Sequence, residues 1–233
     1  MSSLFTEEVR NRYFDLFNTC HPIINMDWPI SVILTNKNRY EEVSRDTGAP
    51  WFIISLIHMM ESSSNFSRHL HNGDPLTART KHVPANRPKT GNPPFTWEVS
   101  AIDAINMKLP YTDWSIEGIL YFLEKYNGWG YQYRDVNSPY LWGKSNHHSK
   151  GKFVSDGKYD PEAKTSQIGA AVLLRELYDR FEVDLESSVN PGWGSDDAID
   201  VETEEEPKKK EPTEDFPGFE TWVKQLQKFF KIF

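Results

Sequence analysis

Trp51-Phe-Ile-Ile-Ser-Leu-Ile-His-Met-Met60 holds eight apolar residues in ten, and Glu61-Ser-Ser-Ser-Asn-Phe66 follows directly. The run predicts a greasy helix from about Ala49 to Ser63, with Pro50 in the first turn, where a missing N–H costs nothing. It is too short to span a bilayer. A carboxyl group at the end of such a helix, facing a polar turn, is half desolvated. Desolvation disfavours the charged form, so the Glu61 pKa is expected to rise far enough to hold a proton near neutral pH. A proton-bearing acid beside a polar cleft is what cleavage of a glycosidic bond requires. The alternative is a helix that turns outward and leaves Glu61 an ordinary solvated charge.

Towards the amino terminus, Phe5, Val9, Tyr13, Phe14 and Phe17 have helical spacing, and Thr6 with Glu7-Glu8 suits a helix start. Tyr40 through Arg45 reads as a short helix stopped at Thr47-Gly48. Beyond Glu61, the stretch from His71 to Pro94 is broken by Gly73, Pro75, Pro84, Pro88 and Gly91. Within it Leu76–Val83 alternates roughly and predicts one or two short strands. Thr96 opens a helix buried through Trp97, Ala101, Ile102, Ile105 and Met107. Asp113 or Ser115 caps the next, which stops at Asn127-Gly128. Tyr131 to Pro161 reads as a polar, aromatic-rich loop, and Thr165-Ser166-Gln167 opens another core helix. The class expected is α+β: a mostly helical domain over 1–186 with a small β-hairpin region. An acidic linker over 187–216 and an amphipathic helix over 217–233 complete the chain.

The 233 residues are 38% hydrophobic and 14% aromatic, enough for one core with rings left to line a groove. Net charge is −8, and residues beyond 190 hold 6 basic and 11 acidic side chains, leaving 20 against 23 in the body. A body so nearly balanced has no basic stripe for nucleic acid. The single cysteine, Cys20, excludes an internal disulfide. Met1–Glu8 lacks a basic start followed by an apolar run, so no secretory signal is read there. Synthesis in a reducing cytoplasm is expected, with any target outside it reached by another route.

The stretch His58-Met-Met-Glu61-Ser62-Ser63-Ser64-Asn65-Phe66 resembles the Glu-Ser signature of the lysozyme-like superfamily. That superfamily includes goose-type lysozymes, lytic transglycosylases and many phage endolysins. The following His69-Leu-His71-Asn72-Gly73-Asp74-Pro75-Leu76-Thr77-Ala78-Arg79-Thr80 is similar to bacterial and phage lysozyme-like proteins with the same order of parts. Tyr126-Asn127-Gly128-Trp129-Gly130 resembles the Tyr-Asn-x-Gly element of the transglycosylase branch, with two glycines here flanking a tryptophan. The resemblance covers residues 38–182. It implies a peptidoglycan hydrolase that cleaves the β-1,4 bond between N-acetylmuramic acid and N-acetylglucosamine, without metal or cofactor. Glu61 is then the general acid, Ser62 packs at the helix end, and Tyr126 and Asn127 bind substrate. A phage endolysin or a bacterial relative acting on the wall after release is implied, with lytic transglycosylase or chitinase as alternatives.

The resemblance also implies Asp74 as a second carboxylate over the cleft. Its sequence setting equally suits a cap of the Gly73-Asp74-Pro75 turn. Thr80 and Thr77 are candidate water-positioning hydroxyls, set against plain β-propensity. His69 and His71 with Asp74 have the spacing of half a zinc site, which would suit a zinc amidase or peptidase, yet no further ligand cluster accompanies them. Otherwise the two histidines shape the cleft near Glu61. Tyr140, Trp142, Asn146 and His147 mix flat rings with polar groups, as expected where a polysaccharide lies, unless the rings pin a long loop to the core. A wall-binding module without turnover is the remaining alternative. The final helix, with Lys224, Lys228 and Lys231 among aromatic residues, is expected to dock on the parent domain, self-associate or lie on an anionic membrane.

Overall fold

The apolar run from Trp51 forms a helix, α4 (Trp51–Ser62), in which every side chain from Phe52 to Met60 is buried. The computed structural model describes residues 5–111, 113–155 and 157–185; the linker and helix expected over 187–233 lie outside the described residues. Pro50 stands just before α4 as its N-cap, and its carbonyl accepts from the Ile53 N–H at 3.1 Å. Four helices surround α4: α2 (Asp27–Thr35), α3 (Lys37–Thr47), α6 (Ile116–Asn127) and α8 (Ala170–Asp179). Contact on so many sides explains why the run is apolar all round rather than along one stripe. Ile53, Ile54, Leu56 and Ile57 are fully enclosed, each contributing about 1.5–3 kcal/mol relative to exposure.

The remaining helices brace this core. In α1 (Glu7–Asn18), the Thr6 hydroxyl caps the start by accepting from the Val9 N–H, and the helix packs on α6. Thr96 caps α5 (Trp97–Asn106) in the same way, and α5 packs on α3. There Arg39 donates to Glu98 at 2.7 Å while its guanidinium lies 3.8 Å over the Phe66 ring. Ser115 caps α6; Asp113 instead accepts from Ser115 and from Arg10. Gly48 ends α3 in the left-handed region, φ +75°. Two α-helices have no counterpart in the sequence reading, α2 and the short α7 (Pro139–Trp142), nor has the 3-10 turn Gln132–Arg134, and α8 begins at Ala170, later than Thr165.

Among the described residues the fold is mainly helical with one small antiparallel sheet, hence α+β, but the sheet is not where alternation placed it. Leu76–Val83 contains no strand. The strands are β1 (Lys152–Ser155) and β2 (Lys158–Asp160), with Phe153 opposite Tyr159, inside the stretch read as loop. N–H groups within Leu76–Val83 close local turns instead of a ladder: Leu76 donates to the Ser67 carbonyl, Thr80 to the Arg87 carbonyl, and Lys81 and His82 to the Asp74 carboxylate. Between Val154 and Tyr159, Asp156-Gly157 is a two-residue hairpin signal of the strongest kind. Among the described residues no helix is long and apolar enough to cross a membrane.

Candidate active site

Glu61 sits in the last turn of α4, where three other parts of the chain meet it. Tyr140 of α7 donates its hydroxyl to Glu61 Oε1 at 3.3 Å. Tyr126 of α6 donates to the Leu70 carbonyl at 2.9 Å, fixing the loop that follows Glu61. Gln167 donates its amide to the Met60 carbonyl at 2.6 Å, one of the carbonyls a helix end leaves open. Burial pushes the Glu61 carboxyl from its ordinary 4.5 up to about 7, and the Tyr140 hydrogen bond and the Lys108 charge pull against it without prevailing. The residue as a whole is half-buried. Burial also holds the Tyr140 and Tyr126 hydroxyls in their protonated, donating form.

The turn after α4 is built from serines where glycine is usual: Ser63 and Ser64 both take left-handed φ, +53° and +59°. Their N–H groups close onto the Met59 and His58 carbonyls. Gly73 is required beyond them. Its φ is +74°, and a Cβ there would lie 2.7 Å from the Glu61 carbonyl oxygen. The His69–Asp74 turn therefore rests directly on the Glu61 backbone.

Asp74 is nearly enclosed, and its oxygens accept from the N–H groups of Lys81 (2.8 Å) and His82 (3.0 Å) and from the His82 ring (2.6 Å). Burial alone would raise its pKa, but those donors bring it down to about 2. The carboxylate is a clamp on the 74–82 loop. Thr80 is a second clamp: it is buried, its hydroxyl donates to the Pro84 carbonyl and accepts from the Arg87 N–H, and nothing of it faces open water.

Both histidines fasten this loop to α5. His69 meets Ser100 and the Ala78 carbonyl, each at 2.8 Å. His71 meets Asp103 at 2.8 Å, and Arg87 grips the same carboxylate through two nitrogens. With these partners neither ring is free to ligate zinc, and among the described residues no cluster of three His, Cys, Asp or Glu side chains could hold a metal.

The 140–148 segment is pinned to the core rather than spread along a groove. Trp142 is fully enclosed and Tyr140 nearly so, leaving Tyr140 its hydroxyl as the functional part. Asn146 pairs with His21 and Thr19, and His147 meets the Thr19 hydroxyl at 3.1 Å, so both tie the segment to the end of α1. Ser62 turns back to the His58 carbonyl of its own helix. Asn127 is exposed and lines an open groove at the end of α6.

Lys108, Gln167 and the Tyr140 hydroxyl are neighbours of Glu61 that no local pattern announces, since each approaches from a distant part of the chain. A second buried carboxyl, Glu124 of α6, was likewise hidden among the apolar residues of its helix. Burial pushes its pKa to about 8. Comparison of the chain with protein-family models, with curated proteins and with solved structures finds no match.

Proposed function

We propose that this chain is a lysozyme-like peptidoglycan hydrolase in which Glu61 protonates the glycosidic oxygen of the β-1,4 bond between N-acetylmuramic acid and N-acetylglucosamine. One observation carries the reading: a carboxyl on a half-buried residue at the end of a buried helix, whose pKa of about 7 leaves about half of it protonated at neutral pH. A general acid needs such a retained proton. As the bond breaks, the proton leaves Glu61 for the departing oxygen. The Tyr140 hydroxyl and the Lys108 charge then stabilise the carboxylate that remains.

Asp74 is engaged with Lys81 and His82, which leaves Glu61 as the base for the attacking group. Beside attack by water stands a second variant, in which the muramic acid's own hydroxyl attacks and Glu61 takes up that proton. This is the lytic transglycosylase variant. It releases an anhydro sugar, whereas attack by water leaves a reducing end, so mass spectrometry of the released fragments distinguishes the two.

The test of the acid is the clearing of a bacterial cell-wall suspension by wild type and by Glu61→Gln. Wild type should clear and the variant should not. Equal clearing by both refutes the assignment. Pelleting of both with the walls, with clearing by neither, supports a binding module, and loss of wild-type activity on chelation supports a zinc hydrolase.

A further inference from the structure

Two cations share the neighbourhood of Glu61. Lys108 follows the end of α5; the residue is half-buried, and its ammonium lies 5.1 Å from the centre of the Tyr126 ring. Its charge acts on Glu61, and the Glu61 charge acts on it in return. Lys125, exposed in the last turn of α6, stands close enough to Lys108 to repel it. Burial and that repulsion together pull the Lys108 pKa below its ordinary value, more strongly than Glu61 holds it up.

Among the described residues no carboxylate lies within ion-pair distance of either lysine, whereas Arg39, Arg87 and Arg180 each meet one. Glu61 supplies only part of a counter-charge, because near pH 7 about half of it is protonated. Each lysine stands at or just past a helix C-terminus, and the partial charge there is only about half a unit. Positive charge is thus left over beside the acid, partly withdrawn from water. An anion placed there would relieve the repulsion and accept charge-assisted hydrogen bonds from ammonium groups that carry three donors each.

We propose that Lys108 and Lys125 form an anion subsite beside Glu61, which takes a carboxylate of the peptide stem on the strand being cleaved. This rests on the hydrolase reading for the identity of the strand, and it adds a choice between polymers. In peptidoglycan the lactyl carboxyl of the muramic acid is tied up in an amide, so the negative charge is carried by the stem. Chitin has no carboxylate to offer. The lysine pair therefore favours peptidoglycan with an anionic stem over a neutral glycan.

The test uses the full chain carrying Glu61→Gln, to prevent turnover, and calorimetric titration with a soluble peptidoglycan fragment whose stem carboxylates are free. The same fragment with those carboxylates converted to amides is the comparison. The free form should bind about tenfold more tightly, as one hydrogen bond to a charged group would give. Lys108→Gln and, from an exposed position that leaves the core untouched, Lys125→Gln should each bring the two affinities together. Equal affinity for both fragments with the two lysines in place, binding of neither, or a preference that survives both substitutions overturns the subsite. The hydrolase reading fails separately, in the clearing assay, if Glu61→Gln clears walls like wild type.

Discussion

The Tyr140 hydroxyl donates to Oε1 of Glu61 across 3.3 Å, joining two residues 79 positions apart. The bond stabilises the ionised acid, while burial stabilises the protonated one and wins, leaving the group near 7. Removing the hydroxyl should let burial act with less opposition. Tyr140→Phe is therefore expected to move the alkaline limb of the pH–rate profile upward by roughly half to one unit. The sign follows because the acid acts when protonated, so activity falls as pH passes its pKa. A limb that stays in place in Tyr140→Phe would show that this hydroxyl does not tune the acid.

Asp74 offers a contrast, a carboxyl held down at about 2. A folded pKa below the ordinary 3.8 gives stability that is complete above that value and lost as pH falls towards 2. Asp74→Asn should cost about 1–3 kcal/mol at pH 7, and much less in acid. Denaturant midpoints at pH 7 and near pH 2 check this. If the variant keeps its stability but loses wall clearing, Asp74 acts in the chemistry after all.

Much of the helical frame is legible because its signals are local. Thr6, Thr96 and Ser115 cap within three residues of themselves, and Gly48 stops α3 through its own φ. The unusual state of Glu61 is legible for the same reason, since the groups that bury it begin with its own helix. The hairpin is hard to read because Leu76–Val83 alternates although its N–H groups close local turns, and because the Asp156-Gly157 pair stands in the sequence among aromatic residues that suggest a loop. Tyr140 and Trp142 show a deeper limit. A ring beside polar residues has the same composition in a groove as in a core, and only the approach of α1 through Asn146 and His147 decides between them.

Gly73 provides a test of how firmly the loop rests on the acid. Gly73→Ala meets both left-handed strain and a Cβ 2.7 Å from the Glu61 carbonyl oxygen. Gly91 has nearly the same φ, +75°, but a Cβ there would make only a 3.6 Å contact with the Phe95 ring. Both substitutions should lower stability by about 1 kcal/mol from backbone strain. Gly73→Ala should lose more, and should also slow wall clearing by displacing Glu61. Matching melting temperatures and matching clearing rates for the two variants would remove the loop from any part in placing the acid.

Glu124 lies beside a cavity of about 20 Å³ lined also by Arg12, Gln132 and Ser138, room for one water. Among the described residues its Oε1 and that of Gln132 find no hydrogen-bond partner. Burial raises its pKa to about 8, against the Ser138 hydroxyl and the Arg12 charge. The unfolded chain loses this proton near the ordinary 4.5 and the folded chain only near 8. Between those values the folded state binds more protons, so stability falls as pH rises, by at most about 1.4 kcal/mol per unit. Glu61 adds the same trend up to about 7, so the informative quantity is the difference between wild type and Glu124→Gln. The amide keeps the shape and cannot ionise. The variant should gain stability over wild type progressively from pH 4.5 to 8, reaching a few kcal/mol. Urea midpoints that differ by a constant amount across that range would mean Glu124 holds no proton in the folded protein that it loses on unfolding.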